Sequence, residues 1–443
     1  MGSEMCIRDR HHPQLHQNYF RMKIVHVVCF ELQTNNSTLL FISGQSASNR
    51  LSGLETSMTN CKKVALAVSS ALAFSFAMSA ANAADVTIYG KAEVAFHYQY
   101  KDFKDAKSDS QFSMDNSGSR FGLNINEKIN DDWSIKGYLE NGFNIDDGGF
   151  TTSGTLFDRR SVLAVKSNTY GEFGFGRMGS VVSTFSPYGR GLSMLDPFET
   201  GYTSEYSISG AFLNDPQRSN NNIAWTSPKW GGLQLAASYS FAMDAQEEVS
   251  YDDNTRLAAG LVSYQAGPAL IILGGSITRW SNKTGTDAGY DGNVERNDTK
   301  QVTFGVNYAA TDNLKLYAAA QWMKDARTYR YWRADEFNSE KGSEASENGI
   351  DGMNYLVGFR YMPTGNTTLI GSYRYFDGEQ EVEGGADLEG KSHSVAFGVE
   401  YDLSKTVMVS AVASYRKLED QMVIENNGLE NYWTAMVGLQ KWF

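Results

Sequence analysis

The 443-residue sequence predicts an all-β fold, a sixteen-stranded antiparallel transmembrane β-barrel, and three observations carry that reading. Apolar and polar residues alternate over long stretches, short turns alternate with long polar connectors, and a polar mean hydropathy of −0.40 coexists with 13% aromatic residues. In such a barrel only every second strand residue meets lipid, so the average stays polar. A soluble β sandwich would account for alternation, but not for aromatic rims on sixteen strands of this length.

The chain opens with two segments that precede the barrel. Residues 58–83 hold the three parts of an export signal: Lys62 and Lys63, an apolar Ser- and Ala-rich run, and Ala81-Asn82-Ala83. Cleavage is expected after Ala83. Residues 1–57 precede this complete unit and carry no sustained period; "MCIRDR" (5–10) resembles translated adapter DNA, so 1–57 is read as non-native upstream translation. The barrel domain is then 84–443, with 32 basic and 47 acidic residues, a net charge of −15. That balance argues against a nucleic-acid binder. All three cysteines fall before residue 84, which leaves the barrel domain without a disulfide framework or a thiolate metal site.

The first strand sets the pattern. From Val86 the even positions read Val86, Ile88, Gly90, Ala92, Val94, Phe96 and Tyr98, whereas the odd ones include Thr87, Lys91, Glu93, His97 and Gln99. A period of two over about fifteen residues is far from helical. Phe121, Leu123 and Ile125 repeat it against Arg120, Asn124 and Asn126; so do Leu233–Tyr239, Val302–Tyr308, Tyr355–Tyr361 and Val395–Tyr401, all four ending on Tyr. Aromatic ends of this kind fit a girdle at the membrane–water boundary.

Connectors give the strand count. Short turns are read at 129–132, 168–171, 229–232, 266–268, 310–313, 364–366 and 403–406, and long polar connectors at 101–117, 281–298, 325–350 and 378–390. Seven short turns join seven hairpins, and one further strand at each end makes sixteen. One connector stands apart. Residues 179–217 form a segment of nearly forty residues, rich in Tyr, Phe, Met and Pro, and a connector of that length is usually functional or disordered; its composition argues against disorder.

The ordered motifs resemble the general diffusion porins of Gram-negative bacteria. "IYGKAEVAFHY" (88–98) is similar to their first strand, "SRFGLNINEKINDDWSIKGYLENGF" (119–143) to the second and third, "GEFGFGRM" (171–178) to the strand entering the third loop, and Phe443 to their terminal aromatic. The resemblance covers the whole of 84–443. It implies an outer-membrane, water-filled channel for ions and small hydrophilic solutes, set among lipid and lipopolysaccharide, usually a homotrimer, with an inward-folded third loop. No cofactor, metal or catalytic residue is implied.

Site residues follow from parity and from the resemblance. Asp196 and Glu199 occupy the third-loop segment where porins carry constriction acids, although this chain reads Asp196-Pro197-Phe198-Glu199 where the family has Pro-Glu-Phe-Gly; Glu205 is a further candidate. The opposing basic wall is expected from Lys91, Arg120 and Arg218 on polar faces and from one of Arg159 and Arg160, with the resemblance favouring Arg159. Arg360, Arg374, Glu400 and Arg416 also share inward parity and are read as satisfying a wet interior. Facing rows of opposite charge would align polar solutes and set ion preference; weak cation selectivity is expected from the loop charge. Val437, Leu439 and Phe443 match the last-strand signal read by barrel-assembly machinery, with Lys441 a departure.

Competing functions are narrower. A hydrolase needs a nucleophile with a positioned base, and 84–443 holds only His97 and His393. A substrate-specific channel, for a sugar or an anion, is a closer alternative; a sugar channel needs an aromatic track down the lumen, whereas Tyr and Trp fall mostly at strand ends. An adhesin or receptor role for the long acidic loops is the remaining alternative.

Overall fold

A computed structural model describes residues 84–443, apart from connector stretches 116–117, 188–191, 200–201, 203–205, 207–217, 244–253, 282–295, 330, 334–346 and 383. Before residue 84 it describes three short strands, Met22–Ile24, Phe30–Thr34 and Ser37–Leu39, paired in that order. The expected export signal at 58–83 and most of 1–57 lie outside the described residues. The chain divides into two compact units, Met1–Ala84 and Asp85–Phe443.

The second unit is a closed antiparallel barrel of sixteen staves. They are β1 (Asp85–Phe103), β2 in two pieces (Asp109–Asp115 and Arg120–Lys128), β3 (Trp133–Gly142), β4 (Arg160–Ser167), β5 (Gly171–Met178), β6 (Ser219–Thr226), β7 (Leu233–Ser240) and β8 (Arg256–Ala266). The circuit continues through β9 (Ala269–Arg279), β10 (Thr299–Thr311), β11 (Leu314–Ala326), β12 (Ile350–Thr364), β13 (Thr367–Gln380), β14 (Leu388–Ser404), β15 (Val407–Asp420) and β16 (Leu429–Trp442). All seven short turns fall where the sequence puts them. Both pieces of β2 pair with β1, and across the gap the Ser119 hydroxyl replaces the ladder by bonding the backbone N–H and C=O of Glu93 at 2.9 and 3.1 Å.

Two expected connectors are shorter than predicted. Within 101–115 the strands continue, Ala95↔Asp115 through Lys101↔Asp109, around a loop at 104–108, and Phe112 stacks on Phe96 at 6.2 Å. At 378–390 the β13–β14 ladder runs to Gln380↔Leu388. Beyond the membrane both faces of a strand are wet, so polarity there no longer distinguishes strand from loop.

Closure joins β16 to β1 from Leu429↔Phe103 to Trp442↔Lys91. The terminal Phe443 then exchanges both backbone hydrogen bonds with Gly90, at 2.9 and 3.1 Å, while its ring fills the space a Gly90 side chain would need. Only glycine admits that approach. Closure thus leaves neither the first nor the last stave with an unpaired sheet edge, which is what hydrocarbon demands of a spanning sheet.

The outer face is apolar with an aromatic band near each rim. Tyr264, Tyr308, Tyr361 and Tyr401 lie exposed beside the short turns; Trp322, Tyr355, Tyr373 and Trp433 lie exposed toward the long connectors. In outer-membrane barrels the short turns are periplasmic and the long loops extracellular.

The first two short turns lock together through Asp132. Its carboxylate accepts from the Ser167 hydroxyl at 2.9 Å and from the Thr169 N–H and hydroxyl, both at 3.0 Å. The Ser167 bond, joined by those from Thr169, holds the Asp132 carboxyl below the usual range. A depressed folded value stabilises the native state above the unfolded pKa of about 3.9 and loses that stabilisation as pH falls through the folded one. Asp132→Asn is therefore expected to lower the unfolding midpoint at pH 7, with the difference from the parent vanishing once pH has fallen through the folded pKa, measured by denaturant titration at neutral and acidic pH.

Candidate functional site

Strand parity turns alternate side chains into the barrel, and the inward set is not uniformly polar. Leu261 on β8, Leu270 and Ile272 on β9, and Leu356 on β12 are buried in one apolar cluster with Val181, Val182, Leu192 and Leu195 of the connector after β5. Glycines at inward positions receive that connector. A Cβ on Gly305 would lie 2.5 Å from Leu195, and one on Gly358 2.5 Å from Pro197. A second cluster places Phe198, Tyr202 and Tyr206 against Ala95, Ile370, Ala396, Val412 and Met436.

Polar anchors run around the same segment. The Val181 N–H donates to Ser238 on β7 at 3.1 Å, Asn307 on β10 donates to the Met194 carbonyl at 3.0 Å, and Tyr206 meets His97 on β1 at 3.0 Å. Arg360 on β12 makes the densest set. Its guanidinium donates to the Pro197 carbonyl at 2.8 Å and to Glu400 at 2.6 Å, and lies 3.5 Å from Glu199. Tyr202 donates to the other Glu400 oxygen at 2.6 Å.

The two candidate acids have different surroundings. Asp196 is 1% exposed, and its Oδ1 accepts from the Phe198 N–H at 3.0 Å, closing a turn. The Glu199 side chain is 60% exposed and stands at a left-handed backbone position, φ 52°. Glu205 lies outside the described residues.

The four candidate bases gather on the other side of the circuit. Lys91 is buried in an ion pair with Glu93, which also accepts from Gln440 at 3.0 Å. Arg159 donates to Glu140 at 2.8 Å, Arg120 lies 3.8 Å from the same carboxylate, and Tyr89 donates to it at 2.8 Å. Arg218 lies over the Phe185 ring at 4.1 Å and within electrostatic reach of Arg159 and Glu140. Arg159 and Arg160 both belong here, so the choice between them dissolves: Arg160 shares the inward parity of Val162 and Ala164 and lies 5.8 Å from the Tyr138 ring. With Arg177, six cations stand with three carboxylates, Glu93, Glu140 and Asp158.

Sequence reasoning missed several members. Glu93 and Glu140 neutralise part of the basic wall, and parity would have found both, two residues from Lys91 and on the lumen face of β3. Arg360 and Glu400, read only as wet-interior charges, hold the long connector. Arg374 and Arg416 fit that plainer reading, the first donating to Ser394 at 2.9 Å, the second over the Tyr331 ring at 5.1 Å. The apolar inner patch had a signal in "ALIIL" (269–273), which is apolar at both parities. Among the described residues no acid, His or Cys cluster could hold a metal.

A model of the family described as Gram-negative porin matches residues 65–421. The chain belongs to the Gram-negative porin family. This porin is 28% identical over 384 residues to an outer membrane porin protein of Bordetella pertussis, covering 80% of this chain and 94% of that one. An anion-selective porin from Comamonas acidovorans superposes with a TM-score of 0.58 at 22% identity, across 81% of this chain and all of that one. The trimer form of OmpT from Vibrio cholerae gives 0.51 at 18%, across 81% and 99%. These structural likenesses concern the fold. The porin's place is the outer membrane, and its family relatives are channels.

Proposed function

We propose that this porin is a water-filled channel for passive diffusion of ions and small hydrophilic solutes, narrowed by residues 179–217 lying inside the barrel. The anchoring of that segment to inward positions on β7, β10, β12 and β1 supports the reading. Glu140 on β3 and Arg360 on β12 are seven strands apart one way round the sixteen-strand circuit and nine the other, so the basic cluster around Glu140 and the acidic one around Arg360 lie nearly across from each other. Solutes would pass between Arg120, Arg159 and Arg218 on one side and Glu199 and Glu400 on the other, with Asp196 shaping the turn. Polar solutes align in such a field, and apolar ones must displace ordered water.

Cations and carboxylates are nearly balanced across these two walls, so the −15 charge of 84–443 tips the channel weakly toward cations. The protein assembles as a homotrimer, is exported by 58–83, and is inserted through recognition of Val437, Leu439 and Phe443, whose side chains are exposed on the last strand's outer face. The test is single-channel recording of the purified protein in a planar bilayer under a salt gradient. Three coordinated conductance steps and a small cation-directed reversal potential are expected. Absence of conductance would overturn the channel, and an anion-directed potential would mean that the β1–β4 cations outweigh the acidic mouth.

A further inference from the structure

We infer that residues 421–428, the connector between β15 and β16, form a second narrowing element docked inside the mouth at the long-connector end, so that solutes entering there pass Ile424. The inference rests on the channel reading above and adds a separate filter to it.

The inner wall comes first. Met323, Ile350, Phe376, Leu388 and Leu418 have inward parity at the long-connector ends of β11 to β15, where a water-filled channel would carry polar groups. They belong to an apolar cluster distinct from the two that seat the 179–217 segment. Left open to water, such a patch is unfavourable roughly in proportion to its area. Met422 and Val423 of the connector cover it, Met422 with no exposed surface. Ile350 and Arg360 are ten residues apart on β12, about 33 Å of strand, so this seat and the Arg360 anchorage are two stations along the channel.

The backbone turns the connector inward. β15 ends at Asp420 in a left-handed conformation, φ 56°, and a short helix follows, Gln421–Glu425. Asn427 at φ 54° and Gly428 at φ 84° then return the chain to β16. Non-glycine residues hold such a conformation only where surrounding contacts over-determine it. Those contacts are present. Asn426 Nδ2 donates to the carbonyls of Met422 at 2.7 Å and Tyr331 at 2.6 Å, and the Lys104 N–H donates to the Gly428 carbonyl at 2.8 Å. Tyr331 is itself held inside the barrel, its ring 5.1 Å from the Arg416 guanidinium and edge-on to Tyr432 at 6.3 Å, two buried residues of inward parity. The connector is thus tied to the β1–β2 and β11–β12 connectors as well as to its own hairpin. Ile424, turned from the seat, is 69% exposed.

All three cysteines precede residue 84, so in the full chain carrying Cys6→Ser, Cys29→Ser and Cys61→Ser each introduced thiol is unique. The probe is trimethylammonium-ethyl methanethiosulfonate, which forms a disulfide with a thiolate and releases methanesulfinate. Ile424→Cys is expected to react freely and, in planar bilayers, to lose single-channel conductance stepwise as the bulky cation attaches. Met422→Cys is expected to react at least about tenfold more slowly, because a covered side chain reacts only when its segment opens. The double variant Met422→Ala/Asn426→Ala leaves the barrel ladders intact; its conductance is expected to exceed the parent's, and it serves if Met422→Cys does not fold. Unchanged conductance after complete labelling of Ile424→Cys, read by mass spectrometry, would overturn the narrowing. So would equal reaction rates of the two thiols, or parent conductance in the double variant. The thiol rates are measured in detergent and need no current. A conducting parent with equal rates therefore overturns this filter alone, whereas a parent without conductance overturns the channel reading and the filter with it.

Discussion

Arg360→Ala is expected to give a larger and noisier single-channel conductance than the parent. The guanidinium bonds the Pro197 carbonyl and Glu400 and stands 3.5 Å from Glu199, so one side chain ties the 179–217 segment to the wall. Removing it also leaves Glu400, 11% exposed, with the Tyr202 hydroxyl as its described partner. Breaking such a buried pair from one side costs roughly 3–5 kcal/mol. The barrel ladders are untouched, so the cost falls on the segment and not on the sheet. The measurement is paired: conductance in planar bilayers, and proteolysis of 179–217 in the folded barrel. Unchanged conductance with an intact segment would mean that the apolar seats at Gly305 and Gly358 hold it without Arg360.

The second large effect is on selectivity. Arg120→Gln with Arg159→Gln removes the two guanidinium groups that lie within 4 Å of Glu140 and should move the reversal potential toward cations. At about 8 Å in water a unit charge is worth about 0.5 kcal/mol to a permeating ion. The effect has opposite sign for cation and anion, which doubles it, and screening at 0.1 M salt roughly halves it again. Two charges then change the cation-to-anion ratio by about 1 kcal/mol, roughly fivefold. A potential unchanged from the parent would place these arginines away from the permeation path. Tyr89 and Arg160 remain beside Glu140, so the carboxylate keeps partners and the variant should fold.

Much of the architecture was legible in the residues themselves. Strand number, the seven turns and the lipid face all follow from a period of two, because every lipid-facing position must be apolar. Legibility failed where that constraint lapses. Above the membrane, at 109–115 and at 376–380 with 388–391, both strand faces are wet and polarity no longer marks the strand although the ladder continues. Inside the barrel the constraint is weaker still. Leu270 and Ile272 could be apolar only because a connector covers them, and no rule local to β9 says so.

The sequence by itself determined a closed sheet with one face for lipid, the positions of its turns, and a set of charges confined to the other face. Parity is a property of a single strand, and it survives any arrangement of the rest. Only the tertiary structure decided which of those charges work together. Glu140 is shared by Arg120, Arg159 and Tyr89 from three other points in the chain, and Arg360 joins Glu400 to a loop residue 163 positions away. Which charges meet depends on barrel closure and on where a long connector comes to rest. Both are fixed by packing between residues far apart in sequence, where no local period records them.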